Sequence, residues 1–419
     1  MSVKKKWLYL PVEVKVRELD AKLLLSYYAA SQGYAVIIGE HKMVELALNH
    51  YPSGVFFSKG YPYHVGQEVI TSVKQKGHKI VELDEEGLII QGNDLYLQDR
   101  ARGELQIQLE QIYCWGDFQK QILSRSSKAI GNKSHVTGSP RIDLLTPKYR
   151  EVYTEEVKQL RSQYGTFILV NTRFSQYNAV SGIKEVHPQS KYMKRLYEYF
   201  LQMITDVSKV FPQLNIIIRP HPGENFTVYK QIFSSQANIH VLHEGNIIKW
   251  LLAADVVIHN GCTSSVEAFL LEKNIITYVP ITSSVYDVEL PNQLGVKATN
   301  NQEVVDIIQL MLDKSELSLT MQSRTELENN LDHYCSHLNP YFSFERILHL
   351  INTIPTPAST YNPASYKPLY AREKKYIKYF FSSLNSEEIE KFFIRLNRIE
   401  GRDLCLSIKK VARNLFQIN

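Results

Sequence analysis

Residues 215–225 read Asn-Ile-Ile-Ile-Arg-Pro-His-Pro-Gly-Glu-Asn. A short apolar run delivers Arg219 and His221, with Pro220 and Pro222 stiffening the exit. A guanidinium and an imidazole at the end of a buried strand suit a phosphate. The competing use is a histidine satisfied by backbone. A second cluster is Asp255-Val-Val-Ile-His259-Asn260-Gly261-Cys262-Thr263-Ser264-Ser265-Val-Glu267. An apolar run ends, a glycine turn follows, and hydroxyl residues open a helix. Backbone N–H groups and hydroxyls there make an anion site. Ser264 and Glu267 also fit a Ser-x-x-Glu capping box, which would use both for the helix alone. Asn171-Thr172-Arg173 closes another expected strand, and Asn171 is expected as a phosphate contact.

Asp84-Glu85-Glu86-Gly87 follows an apolar run. Three carboxylates on one turn repel, which raises a pKa and suits a general base. The competing use is a solvated acidic turn. Glu13, Lys15, Arg17 and Glu18 occupy the first strand-to-helix turn, where a dinucleotide fold would place glycines. No G-x-G-x-x-G is present, which argues against a nicotinamide site. In Gly138-Ser-Pro-Arg141-Ile-Asp143, Arg141 and Asp143 are read either as a hinge grip or as an ion pair. No Asp-x-Asp, G-x-S-x-G or Walker loop occurs, and no metal site is expected.

These residues need a scaffold that brings strand ends together. Apolar runs near 7–12, 34–38, 54–57, 79–83, 112–115 and 135–137 alternate with helical patterns. A second series has strands near 166–171, 215–219, 240–242, 256–259 and 275–279. Alternation of this kind predicts α/β architecture with parallel sheets. The expected organisation is two tandem doubly wound domains, 1–145 and 146–353, with ligands taken at strand ends in a cleft between them. Residues 354–419 are expected to be a linker and a helical basic tail, with helices near 373–382, 386–397 and 402–416.

Composition narrows the function. The 419 residues carry 48 Lys+Arg and 43 Asp+Glu, a formal charge of +5. Residues 371–419 hold eleven Lys/Arg and six Asp/Glu, which leaves 37 of each in the first 370. A neutral body argues against a nucleic-acid groove. Cys114, Cys262, Cys335 and Cys405 form no Cys-x-x-Cys pair, which fits a reducing compartment. The apolar stretch after the basic N-terminus is too short for a signal peptide. No run approaches the ~20 apolar residues of a spanning helix. A cytoplasmic protein is expected, with the tail as a candidate for peripheral contact with an anionic membrane.

Arg-x-His-Pro, followed forty residues on by Gly-x-Thr-Ser-Ser-x-x-Glu, resembles the second domain of GT-B glycosyltransferases. It is similar to CMP-sugar-dependent bacterial sialyl and Kdo transferases. It also resembles CDP-glycerol glycerophosphotransferases and UDP-GlcNAc 2-epimerases. The front half resembles surface carbohydrate biosynthesis proteins, through residues 10–25, Asp84-Glu85-Glu86-Gly87-Leu and Val136-Thr-Gly138-Ser-Pro140-Arg141-Ile-Asp143. The resemblance spans residues 8–351. It implies a GT-B enzyme that moves an acidic, ulosonic-type sugar from a CMP donor onto a surface polysaccharide or lipid-linked glycan. It implies no cofactor beyond the donor substrate and no metal.

Carried onto this chain, the acid-acid-Gly motif makes Glu86 the base, with Glu85 and Asp143 as candidates for a second carboxylate. Arg219, His221 and Asn171 would hold the donor phosphate. Gly261, Thr263, Ser264 and Ser265 would hold phosphate or sugar carboxylate, and Glu267 the ribose. Glu13, Arg17 and Glu18 would touch acceptor or sugar. The alternatives are a CDP-alcohol-dependent polyol-phosphate transferase, a UDP-sugar 2-epimerase-like enzyme and a non-catalytic nucleotide-binding subunit.

Overall fold

The computed structural model describes residues 5–184, 187–313, 321–359 and 380–419. Six strands come first: β1 (Lys6–Val12), β2 (Tyr34–Glu40), β3 (Val55–Ser58), β4 (Lys79–Leu83), β5 (Gln111–Cys114) and β6 (Ser134–Val136). Next come β7 (Phe167–Asn171) and the two-residue strands β8 (Asn178–Ala179) and β9 (Gly182–Ile183). These are followed by β10 (Asn215–Arg219), β11 (Ile239–Val241), β12 (Val256–His259), β13 (Asn274–Tyr278) and β14 (Val296–Ala298). The last two are β15 (Ile408–Ala412) and β16 (Leu415–Ile418).

The chain forms two compact units. One is Met1–Val152 with Glu328–Asn419, and the other is Tyr153–Leu327. The first holds an eight-stranded sheet in the order β15-β16-β2-β1-β3-β4-β5-β6. The second holds six strands in the order β11-β10-β7-β12-β13-β14. Apart from β15 and β16, every pairing in these two sheets is parallel.

Strands covered on both faces read as unbroken apolar runs. β2 and β3 are buried along their whole length. In the first unit Tyr9, Ile37, Phe56, Ile80 and Ile112 pack with Val69, Ile70 and Ile122. In the second, Ile168, Val170, Ile216 and Ile258 pack under Met193, Phe200, Ile204 and Val207 of the helix Pro188–Val210.

Each sheet reverses direction at one place. In the first unit the chain runs from β1 outward to β2, then returns to the other side of β1 through β3. In the second it runs from β7 to β10 and β11, then returns beside β7 with β12. Doubly wound sheets bind ligands outside the strand carboxyl ends at such a reversal. Those two points lie between β1 and β3, and between β7 and β12.

Two expectations about organisation need correction. The helix Ser343–Asn352, expected in the second domain, belongs to the first unit. Asp143 accepts from the Ser343 and Phe344 backbone N–H groups at 2.8 and 2.9 Å, and the Phe344 ring stacks on Tyr28 with centroids 4.0 Å apart. In the tail, the helix Ser386–Glu400 forms as expected. Residues 402–416 do not form a helix: β15 and β16 make a hairpin, and β16 pairs antiparallel with β2. The open edge of β2 presents unpaired N–H and C=O groups, and satisfying them outweighs local helix preference. Gly39 permits the approach, since a Cβ there would stand 2.0 Å from the Asn414 carbonyl oxygen. The expected helix at 373–382 falls almost wholly outside the described residues. Among the described residues no helix is long and apolar enough to cross a membrane.

Candidate functional site

The second unit gathers its motif residues at the β7/β12 reversal. Ile258 pairs with Val170, so His259 and Asn171 end adjacent strands. Asn171 Nδ2 donates to Ser264 Oγ at 2.9 Å, across the reversal. Its Oδ1 is buried with no hydrogen-bond partner, and so is His259 Nδ1. His259 Nε2 lies 3.1 Å from Thr277 Oγ1. Burial, aided by nearby Arg173, pushes the His259 pKa down to about 3, so the ring is neutral.

The turn between them is held by Arg173. Its Nε donates to the Asn260 carbonyl at 2.7 Å, and its Nη2 to Asn260 Oδ1 at 3.1 Å. Gly261 has φ +57°, and a Cβ there would stand 2.7 Å from Arg173 Nε. Its N–H donates to Asn292 Oδ1 at 2.6 Å. The turn therefore requires glycine for its backbone and for the guanidinium beside it. Thr263 is exposed and precedes the helix Ser264–Leu270 without a side-chain cap. The capping box does not form: Ser264 Oγ donates to Cys262 Sγ at 3.0 Å and accepts from Asn171. Ser265 is buried and donates to the Cys262 and Pro291 carbonyls, a structural use that replaces the expected ligand contact. Glu267 is buried in the same helix.

His221 follows β10. Its Nδ1 accepts from the Gly223 N–H at 3.0 Å, which leaves the neutral ring's proton on Nε2. The loop rests on Glu224, whose position the sequence does not single out. Glu224 is fully buried and accepts from Thr172 Oγ1 at 2.8 Å, Tyr229 O–H at 2.6 Å and His221 N–H at 3.1 Å. Burial, only partly opposed by those donors, pushes its pKa up to about 7.

Arg219 is placed differently from the expectation. Its Nη groups donate to the Glu244 and Gly245 carbonyls at 2.7 and 2.9 Å, and the guanidinium lies 5.2 Å from the Trp250 ring centre. Burial lowers its pKa to about 9, still cationic at neutral pH. It anchors the loop after β11 through those carbonyls.

In the first unit the reversal is closed by charge pairs. Glu13 follows β1 and Lys59 follows β3, and they meet at 2.5 Å. Burial opposes the Glu13 charge, but Lys59, His41 and Arg17 together outweigh it and the carboxyl is held below its ordinary range. Glu18 is fully buried and accepts from the Glu13 and Val14 N–H groups at 2.8 and 3.2 Å. It fixes the β1 turn in the place where a dinucleotide fold uses glycines. Both were expected as substrate contacts; Glu18 is buried in the turn, while Glu13 rests on Lys59 with 29% of its side chain exposed.

The acidic turn after β4 is also more ordered than its sequence implies. Each carboxylate has its own cation. Arg100 donates to both Asp84 oxygens at 3.0 and 2.7 Å. Lys22 meets Glu85 at 3.0 Å, with both side chains nearly buried. Arg17 Nη1 donates to Glu86 Oε1 at 2.6 Å. The expected mutual repulsion is therefore compensated from outside the turn. Glu85 points inward and is unsuited to touch substrate, and Asp143 is spent at the start of the helix Ser343–Asn352. Burial pushes the Asp143 pKa up to about 6. Glu86 points outward, with 49% of its side chain exposed.

Glu86 lines a groove of about 570 Å³, together with Tyr63, His64, Ile89, Leu95, Asp99 and Arg102. Arg102 lies 4.1 Å from the Tyr63 ring centre. Of the lining residues named here, only Glu86 lay in a motif marked by the sequence. The groove's residues lie in the turn after β4, in and just after the short helix Asn93–Asp99, and at the start of the helix Tyr63–Gln75. Among the described residues no three His, Cys, Asp or Glu side chains are grouped to hold a metal ion.

No protein-family model matches the chain, and no curated protein matches it. Solved structures do. The UDP-GlcNAc 2-epimerase of Methanocaldococcus jannaschii, in complex with UDP-GlcNAc and UDP, aligns with a TM-score of 0.53 at 12% identity. That alignment covers 83% of this chain and 99% of the other. A variant of the wall teichoic acid polymerase TagF gives 0.54 at 12% identity, over 83% and 88%. The Neisseria meningitidis UDP-GlcNAc 2-epimerase bound to UDP-GlcNAc gives 0.50 at 11%, over 84% and 100%. The chain has a GT-B-like fold of two doubly wound α/β domains.

Proposed function

We propose that the chain is a nucleotide-sugar-dependent glycosyltransferase of surface-glycan assembly. One observation carries the reading: at the β7/β12 reversal, Asn171 bonds to Ser264 beside a glycine turn, and Asn171 Oδ1 and His259 Nδ1 are buried without partners. Buried polar atoms ordinarily find partners, so a polar ligand group or water is called for there. A phosphate would be met by His221 Nε2–H, Thr263 and the backbone N–H groups of Cys262 and Thr263, with Arg173 behind it. Glu267 remains the proposed contact to ribose.

The donor is a CMP-linked acidic sugar, the reading that the Arg-Pro-His-Pro and Gly-Cys-Thr-Ser-Ser resemblance supports. The acceptor is a hydroxyl of a polysaccharide or lipid-linked glycan, lying in the groove beside Glu86. Tyr63, Asp99 and Glu86 offer the aromatic face and carboxylates that sugar hydroxyls use. The acceptor oxygen forms a bond to the anomeric carbon, and the bond from that carbon to phosphate oxygen breaks. CMP leaves with the electron pair, and Glu86 takes the acceptor's proton. Charge on the departing phosphate is met by cationic and N–H groups rather than by a protein-held metal.

Titration with CMP, CDP, UDP and GDP tests this. Binding of CMP, lost in His221→Ala with the fold retained, is the expected result. Preference for CDP would move the reading to polyol-phosphate transfer. UDP with acceptor-free turnover of UDP-GlcNAc would move it to a 2-epimerase. Binding of none would overturn it.

A further inference from the structure

Arg17 opens the helix Lys15–Ser31 at the carboxyl end of β1. Its two arms are held unequally. Nη2 donates to Glu18 at 3.0 Å, and Glu18 is fully buried and pinned by two backbone N–H groups. Nη1 donates to Glu86, whose side chain is 49% exposed against 19% for Arg17. The guanidinium is also unsaturated: Nε is buried with no hydrogen-bond partner. One arm is thus fixed in the fold, and the other holds an exchangeable surface carboxylate.

We infer that Arg17 is an oxyanion receptor whose resting counter-ion is Glu86, and that a carboxylate or phosphate carried by the substrate takes Glu86's place. This rests on the reading of Glu86 as the base and extends it to substrate class. A guanidinium presents fixed, planar donors that match carboxylate and phosphate. An exposed ion pair resists exchange weakly, by about fivefold in an equilibrium at most. Glu86 connects receptor and groove, since it lines the groove and carries the bond to Arg17.

Displacement has a chemical consequence. A carboxylate bonded to a cation is a poorer proton acceptor than one released from it. Substrate bearing the anion would therefore release the base from Arg17 as it binds, and a neutral sugar would leave Glu86 on Arg17. The neighbouring Lys22–Glu85 pair shows the contrast. With side-chain exposures of 4% and 6%, it has no solvent-facing arm to exchange. Glu86, Glu18 and Glu85 together outweigh the burial of Arg17 and keep it firmly cationic.

The probes are glucuronate, glucose 6-phosphate and glucose, followed by ligand-detected NMR on the full chain. Wild type should bind one or both anionic sugars more tightly than glucose. The arm that binds tells carboxylate from phosphate. Glu86→Gln should tighten anion binding by roughly two- to fivefold, since the internal competitor is gone. Arg17→Gln should abolish the preference for the anion, and Arg17→Lys should keep part of it. CMP binding in the second unit serves as a separate measurement. If CMP fails to bind, the donor reading falls and this inference stands on its own data. Unchanged or weaker anion binding in Glu86→Gln, equal affinity for glucose and its charged forms, or unaltered preference in Arg17→Gln would each overturn the inference. If Arg17→Gln fails to fold, Arg17→Lys and Glu86→Gln decide.

Discussion

The two sheets reverse at equivalent places, and the chain fills those places in opposite ways. Between β1 and β3 the first unit sets full charges, with Glu13 on Lys59 and Glu18 holding the adjoining turn. Between β7 and β12 the second unit sets neutral groups, Asn171, His259 and Ser264, around a glycine turn. A paired charge at a strand end is self-sufficient and leaves little for a ligand. Neutral groups with unsatisfied atoms are not self-sufficient: the buried Asn171 Oδ1 calls for a donor, such as a ligand hydroxyl or a water. The same topology can therefore hold a ligand or be locked shut, and side-chain chemistry at the reversal decides which. In the reading proposed above, the first unit takes its substrate outside the reversal, in the groove beside Glu86.

The largest test of that contrast is on Glu86. Glu86→Gln should reduce turnover by about 10²–10⁴-fold, the usual weight of a general base, with CMP affinity little changed. Glu85→Gln should act mainly on stability, because Glu85 faces Lys22 and not the groove. If Glu85→Gln kills turnover in a folded protein while Glu86→Gln does not, the assignment moves inward by one residue.

Next is the locked side of the comparison. Lys22→Met leaves the Glu85 carboxylate buried and alone, which costs on the order of 3–5 kcal/mol. Lys391→Met breaks an exposed pair with Glu387 and should leave the unfolding midpoint essentially where it is. Denaturant unfolding of both variants measures the difference. Equal effects would mean that the first unit's pairs are not the closed lock described above.

On the open side, Gly261→Ala puts a side chain at φ +57° against the Arg173 guanidinium. The strain is about 1–3 kcal/mol, and CMP binding should fall by roughly tenfold or more. Intact CMP affinity by titration would show that the turn lies away from the nucleotide.

Glu224 sharpens the contrast through pH. Its folded pKa, about 7, is raised above the ordinary glutamate value of 4.5. The folded state therefore binds the proton more tightly. The resulting stability is full below about pH 4.5 and is lost as pH rises through about 7. At about 1.4 kcal/mol for each pH unit between those two values, the loss reaches ~3 kcal/mol. Wild type minus Glu224→Gln, compared by unfolding at pH 5 and pH 8, should show that fall. A flat difference would show that Glu224 is ionised throughout this range. The smallest expected effect is that of chelation: turnover should survive excess EDTA, and loss restored by Mg²⁺ or Mn²⁺ would count against the donor site as drawn.

Much of the second unit was legible because its chemistry is local. His221, Gly261 and Ser264 lie within strand–turn–helix segments whose pattern already says where each strand ends. Glu224 was not, since nothing in Pro-Gly-Glu-Asn shows that Thr172 and Tyr229 close over the carboxylate. The acidic turn read as mutual repulsion because three acids are adjacent. Their cations arrive from sixteen residues away, at Arg100, and sixty-nine, at Arg17.

The sequence by itself determined the alternation of strands and helices, hence the parallel part of both sheets, and it marked the polar turns at their ends. Hydrophobic periodicity is a short-range property, and so are glycine turns. Tertiary structure decided what each marked residue does. It turned Glu18, Glu85 and Asp143 inward to fold-building partners, set Glu13 on Lys59, and turned Arg219 to a neighbouring loop. It made a hairpin of residues 408–418 where a helix over 402–416 was expected, and laid its second strand, 415–418, along β2. Each of those outcomes depends on a partner distant in the chain, because an open sheet edge or a buried charge is satisfied by whatever the fold brings to it.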